Sequence, residues 1–156
     1  MKSSTLIISA ILLAATFLPL IYLITQTSRK ESKVRKAIQK LCELNKITLS
    51  EMEINGDLIL GIDQTSKKLI CSNRKLLSEK FEIIDLNLQS DCKIKTLRNH
   101  GKHLEWVGLE LSNTTSKKEI VFYQEDEDDA PIVDPHKCLK EAEKWQNIIK
   151  PLLKAS

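Results

Sequence analysis

Glycine is scarce in this chain, four in 156 residues. Loops that cradle phosphates need closely spaced glycines, and no glycine-rich phosphate loop is present. There is also no G-x-S-x-G turn and no pair of carboxylates placed for general acid and base work. Aromatic residues make up only 4% of the chain. Nucleic-acid binders display stacking rings on a concentrated basic face. From Ile47 onward the chain instead carries sixteen basic residues against nineteen acidic ones. The four cysteines, Cys42, Cys71, Cys92 and Cys138, contain no C-x-x-C pair. An even count permits two disulfides, in three connectivities, if the domain is exported. In the cytosol the same residues are reduced and act as small hydrophobes.

The metal-ligating residue types are equally sparse. His100 and His103 sit two residues apart around Gly101 and Lys102, but no third ligand lies near, and zinc needs three or four. The acidic run Glu125 to Asp129 lacks the spaced oxygens and the glycine of a calcium loop and reads as a solvated loop. Cys138 follows His136 at the start of a predicted helix, where a thiol pKa can fall. It is the candidate reactive thiol, with a helix-edge packing role as the alternative. No catalytic residue, cofactor or metal site is expected.

What the chain does have is a long apolar run. Thr5 to Ile24 is uncharged and is followed by a basic segment. Twenty helical residues span about 30 Å, the depth of a bilayer's hydrocarbon core. A cleaved signal peptide has an apolar stretch of about 7–15 residues and a small-residue cleavage site. The run here is longer, and Thr25-Gln26-Thr27-Ser28 follows it, so a retained transmembrane helix is the expectation. Ala10 and Ala14 form a small-xxx-small pair that would let two such helices approach as a weak homodimer.

Between Arg29 and Lys46 lie seven basic residues and two acidic ones. Positive flanks favour the cytosolic side. This predicts a single-pass membrane protein with its C-terminal domain in the cytoplasm. Arg29, Lys30, Lys33, Arg35 and Lys36 are then the topology signal and the contacts with anionic headgroups. The expected organisation is a short tail over 1–4, a transmembrane helix over 5–25, a basic juxtamembrane helix over 26–46 and a folded domain over 47–156.

Within that domain the apolar period becomes two. Short strands are expected around Leu49–Ile54, Leu58–Ile62, Lys68–Ser72, Phe81–Leu86, Asp91–Leu97, Leu104–Leu111 and Lys118–Tyr123. Asn55-Gly56-Asp57 marks a tight turn. Asn113-Thr114-Thr115 matches a glycosylation acceptor but reads better as a turn. Asp134-Pro135 opens a final helix, with Asp as cap and Pro at the first helical position. Leu139, Ala142, Trp145, Ile148 and Ile149 form its apolar stripe.

The strand series, the phrase IIDLNLQSDCKI from Ile83 to Ile94 and the capped helix carrying Trp145 together resemble the pleckstrin-homology-like domain. The similarity is to short bacterial proteins that hang such a domain from one transmembrane helix. The resemblance implies an α+β fold in which an antiparallel barrel of about seven strands is closed by a C-terminal amphipathic helix. A split α+β sheet with both helices on one face is the alternative. Family members are interaction or scaffold modules rather than enzymes. Those that bind lipids use basic residues between the first two strands, and Asn55-Gly56-Asp57 has none. The functional expectation is thus a membrane-anchored scaffold that engages the bilayer and an unknown protein partner, with no nucleic acid. The competing readings are an exported, disulfide-bearing enzyme or redox protein, and a structural subunit of a membrane complex.

Overall fold

The computed structural model describes residues 2–99, 103–125 and 134–153, with side chains at 12–19, at 22 and from 31 onward. The chain divides into two units, Met1–Lys40 and Leu41–Ser156. The described residues of the first unit are helical, as part of α1 (Lys2–Leu44). No Gly or Pro separates the apolar half of α1 from its basic half, and Pro19 lies within the helix without ending it. One continuous helix therefore covers the segment expected over 5–25 and that expected over 26–46 as far as Leu44. Thr16 donates from Oγ1 to the carbonyls of Leu12 (3.2 Å) and Leu13 (2.9 Å), so its hydroxyl needs no outside partner.

Among the described residues, no helix is long and apolar enough to cross a membrane. The expected transmembrane segment, the single-pass membrane localisation and the orientation derived from it are corrected accordingly.

In the second unit α1 stops at Leu44 through a Schellman arrangement. Lys46 adopts a left-handed φ of 56°. The Ile47 N–H donates to the Cys42 carbonyl (2.9 Å) and the Lys46 N–H to that of Glu43 (3.0 Å). Cys42 and Ile47, the pair whose apolar contact accompanies this motif, are both buried.

Seven strands follow: β1 (Glu51–Asn55), β2 (Leu58–Asp63), β3 (Lys68–Asn73), β4 (Glu82–Asp85), β5 (Asp91–Asn99), β6 (His103–Ser112) and β7 (Lys117–Gln124). Each turn has a local cause. Asn55 pairs with Leu58 across a two-residue loop. Gly56 takes φ +60° at the first central position, the place a hairpin turn of this kind reserves for glycine. Asp63 closes the β2–β3 loop by accepting the N–H groups of Thr65 and Ser66 on Oδ1, both at 3.0 Å. Asn113 closes the β6–β7 loop by accepting those of Thr115 (2.9 Å) and Ser116 (2.6 Å). Asn113 thus carries turn chemistry, and Asn113→Ala should lower stability by about 1 kcal/mol in urea denaturation.

The strands form two antiparallel sheets, β1-β2-β3-β4 and β5-β6-β7. The expected closed barrel is corrected to this two-sheet α+β arrangement. Closure requires a backbone ladder at every seam. After β4 the chain turns through a short 3-10 segment, Leu86–Leu88, which Asp85 caps by accepting the Asn87 N–H at 2.9 Å. β5 therefore starts a new ladder instead of continuing the old one. Between β4 and β7 the link is an ion pair of Glu82 and Lys118, made by side chains rather than backbone.

The C-terminal helix α2 (Pro135–Ile149) starts on Asp134, whose Oδ1 accepts the His136 N–H at 2.9 Å. Its buried face is Cys138, Ala142, Trp145 and Ile149. Leu139 and Ile148, expected in the stripe, only flank it. Leu60, Ile62, Leu69 and Ile84 of the first sheet meet Cys92, Val107, Leu109, Leu111 and Ile120 of the second, together with α2, in one core.

The two sheets differ in how they are covered. Ile59 and Ile70, which face away from that core, are fully buried as well. The Ile47–Ser50 segment lies along β2: Ser50 donates its N–H to the Ile62 carbonyl (2.7 Å), and Leu49 packs over Gly61. The four-stranded sheet is thus covered on both faces, whereas the three-stranded sheet leaves one face to solvent.

Candidate protein-interaction face

The open face follows from strand register. Directly opposed residues share a face. Leu97, Trp106 and Gln124 form one row across β5, β6 and β7. Lys95, Gly108 and Val121 form the next, followed by Lys93, Glu110 and Glu119. The alternation of β6 puts Val107, Leu109 and Leu111 in the core, which turns Trp106, Gly108 and Glu110 outward. Leu104 leaves that outward set. The register shifts between Leu97 and Arg98, so Glu105 is an extra residue and Leu104 points into the core.

Trp106 lies flat on the sheet, and Gly108 makes this possible. A Cβ at position 108 would fall within 2.8 Å of three atoms of the indole ring. Beside the ring, Leu97 is 62% exposed and Val121 39% exposed. Trp106 itself is half-buried. Exposed apolar groups clustered with a Trp are uncommon on a surface with no use for them.

A charge ladder borders the ring. Glu110 is only 6% exposed although it lies on the open face. Lys95 hydrogen-bonds its carboxylate and also reaches Glu119 at 3.3 Å, and Lys117 approaches from β7 at 3.8 Å. The hydrogen bond from Lys95 holds the Glu110 carboxyl below its ordinary value, against a partial desolvation that acts to raise it. At the other end His103 Nε2 lies 3.1 Å from Glu125 Oε1. The rim is thus internally paired and carries no strong excess of one sign.

A second polar cluster joins β1 to α2. Glu53 Oε2 accepts from Lys144 Nζ (2.8 Å) and from Trp145 Nε1 (3.1 Å), and Lys144 also reaches Glu51 at 3.6 Å. Gln146 Nε2 donates to the Cys92 carbonyl at 3.0 Å and ties α2 to β5.

The residues expected to carry function are scattered. Lys33, Arg35 and Lys36 are exposed along α1, where Arg35 pairs with Glu31 at 2.9 Å. The side chains of Arg29 and Lys30, and of Ala10, lie outside the described residues, as do His100 and Asp126 to Asp129.

Cys138 is fully buried in the core face of α2. Burial pushes its thiol up and outweighs the hydrogen bond with the Asn55 side chain, which acts in the other direction. A helix start does not lower a thiol pKa when the sulfur points into an apolar core. The other cysteines behave alike: burial pushes Cys42 and Cys71 to about 11 and Cys92 to about 12. All four are free. No group of three or more His, Cys, Asp or Glu side chains among the described residues could hold a metal ion.

The open face was within reach of the residue pattern. Trp, Gly and Glu alternate with Val, Leu and Leu along Trp106 to Leu111, but alternation does not say which face stays open. No protein-family model matches this chain, and neither a curated protein nor a solved structure is similar to it at a significant level.

Proposed function

We propose that this chain is a binding module rather than an enzyme, and that it docks another protein on the open face of β5–β6–β7. The observation that carries the reading is Trp106 lying flat over Gly108 between Leu97 and Val121. Tryptophan supplies a large, stiff contact surface at low entropic cost and dominates the energetics of many interfaces. Seating it on a glycine fixes the ring before any partner arrives, which reduces the ordering cost of association. The paired ladder of Lys95, Glu110 and Glu119 suits a rim that sets register rather than one that attracts a strongly charged partner. The complementary surface is an apolar protrusion of a folded protein, with its own polar border.

The test is affinity capture from the native cell, followed by affinity measurement with the captured protein. Trp106→Ala should weaken binding by about 30-fold, a hot-spot loss of about 2 kcal/mol. Gly108→Ala should approach that loss, because it lifts the ring while leaving the core residues of β6 untouched. Leu88→Ser, at an exposed leucine outside this face, serves as the control and should bind normally. A partner held equally well by all three variants would disprove the assignment.

A further inference from the structure

The seam between β1 and α2 holds two carboxyl groups with unequal support. Glu53 has two donors, Lys144 and Trp145, on one oxygen. Glu141, one helical turn before Trp145, lies within hydrogen-bonding reach of Glu53. Yet its Oε2 is buried and accepts from no group among the described residues. Two ionised carboxylates cannot satisfy one another, because both only accept. A buried charged oxygen without a donor is costly. One proton on the pair removes both difficulties, turning the repulsion into an O–H that Glu141 donates to Glu53.

We propose that Glu53 and Glu141 share a single proton and form a pH-operated latch, closed while the proton is held and loosened when it leaves. The charged groups around it come from both elements. Glu51 and Glu53 face it from β1, and Lys137 and Lys144 from α2, with the buried Cys138 thiol close by. Lys144 already serves Glu51 and Glu53, and it does not reach the unpartnered Glu141 oxygen. The two carboxyls move in opposite directions. Burial, followed by the Glu53 charge, pushes Glu141 up. Desolvation would raise Glu53 too, but the Lys144 and Trp145 donors outweigh it and hold it below its ordinary value.

The signs follow from linkage. The folded-state pKa of Glu141 is raised, so its contribution to stability is complete at acid pH and is lost as pH rises through that value. The folded-state pKa of Glu53 is lowered, so its contribution is present above the unfolded value and is lost as pH falls through the folded one. The seam is tightest between the two. The consequence is that Trp145, which shares the Glu53 oxygen with Lys144, reports the state of the latch.

The experiment uses the full chain carrying Trp106→Phe, which leaves Trp145 as the sole tryptophan. Urea unfolding is followed by its fluorescence from pH 4 to pH 9, and the Glu141 carboxyl is titrated by carbon-detected NMR. The unfolding constant should rise as pH climbs through the Glu141 titration. Glu141→Gln, which imitates the protonated acid, should flatten that limb and leave the acid limb in place. Glu53→Gln should shrink the acid limb to the part that Asp63 contributes. A Glu141 carboxyl that titrates at its ordinary value, or an alkaline limb that survives in Glu141→Gln, would overturn the latch. The NMR titration of the otherwise native chain decides the matter even if a variant fails to fold.

Discussion

Trp145→Ala should lower the unfolding free energy of the domain by about 3–5 kcal/mol, the usual cost of removing a fully buried large aromatic. Trp145 is 1% exposed and occupies the middle of the α2 core face, between Ala142 and Ile149. Truncation leaves a void where both sheets and the helix meet, because close-packed interiors relax only partly. It also takes a donor from Glu53. For a domain of ordinary stability, about 5–15 kcal/mol, this is a large share of the total. Trp145→Phe separates the two effects, keeping most of the volume while losing the N–H. Urea denaturation of both variants, with Trp106→Ala as a half-exposed control expected to cost about 1 kcal/mol or less, provides the measurement. If Trp145→Ala and Trp106→Ala destabilise equally, the placement of α2 over the core is wrong.

Asp63→Ala is expected to cost about 3 kcal/mol, even though the side chain sits at a loop. Asp63 is 3% exposed and accepts three backbone N–H groups, from Thr48 on Oδ2 and from Thr65 and Ser66 on Oδ1. Charge-assisted bonds of this kind contribute about 1.5–3 kcal/mol each, and removing the acceptor strands the donors. Asp63→Asn should be milder, since its amide oxygen can still serve the turn while its NH2 cannot accept from Thr48. Burial acts to raise the Asp63 carboxyl, but the Ser66, Thr48 and Thr65 donors prevail and hold it below its ordinary value. Its stabilisation is therefore present above the unfolded-state pKa of about 3.9 and is lost as pH falls through the lower folded value. Thermal unfolding between pH 2.5 and 6 should show an acid loss in the native chain that is smaller in Asp63→Ala. Parallel curves would remove Asp63 from the account of acid stability.

The two carboxylates differ instructively. Asp63 takes two of its three backbone donors from its own turn, so most of its support is local. Glu53 is supported by side chains ninety residues away in sequence, on α2. Only the first could be anticipated from neighbouring residues, because an Asp two and three positions before free amides has an obvious geometry. The second depends on where a helix settles against a strand.

The same division runs through the molecule. Period and punctuation determined the strands, the Gly56 and Asn113 turns and the Asp134 cap, because each is decided within a few residues by φ preferences and by donors within reach. Tertiary packing decided the rest. It separated the strands into two ladders instead of a closed barrel, since pairing between distant edges depends on how the chain leaves β4. It rotated the buried face of α2 onto Cys138, turning a candidate reactive thiol into core, because the surface a helix rests on selects which part of a broad apolar stripe is covered. It also chose which face of β5–β6–β7 stays open and so made Trp106 a surface residue, a distinction that alternation alone cannot make because both faces of a strand obey the same period of two.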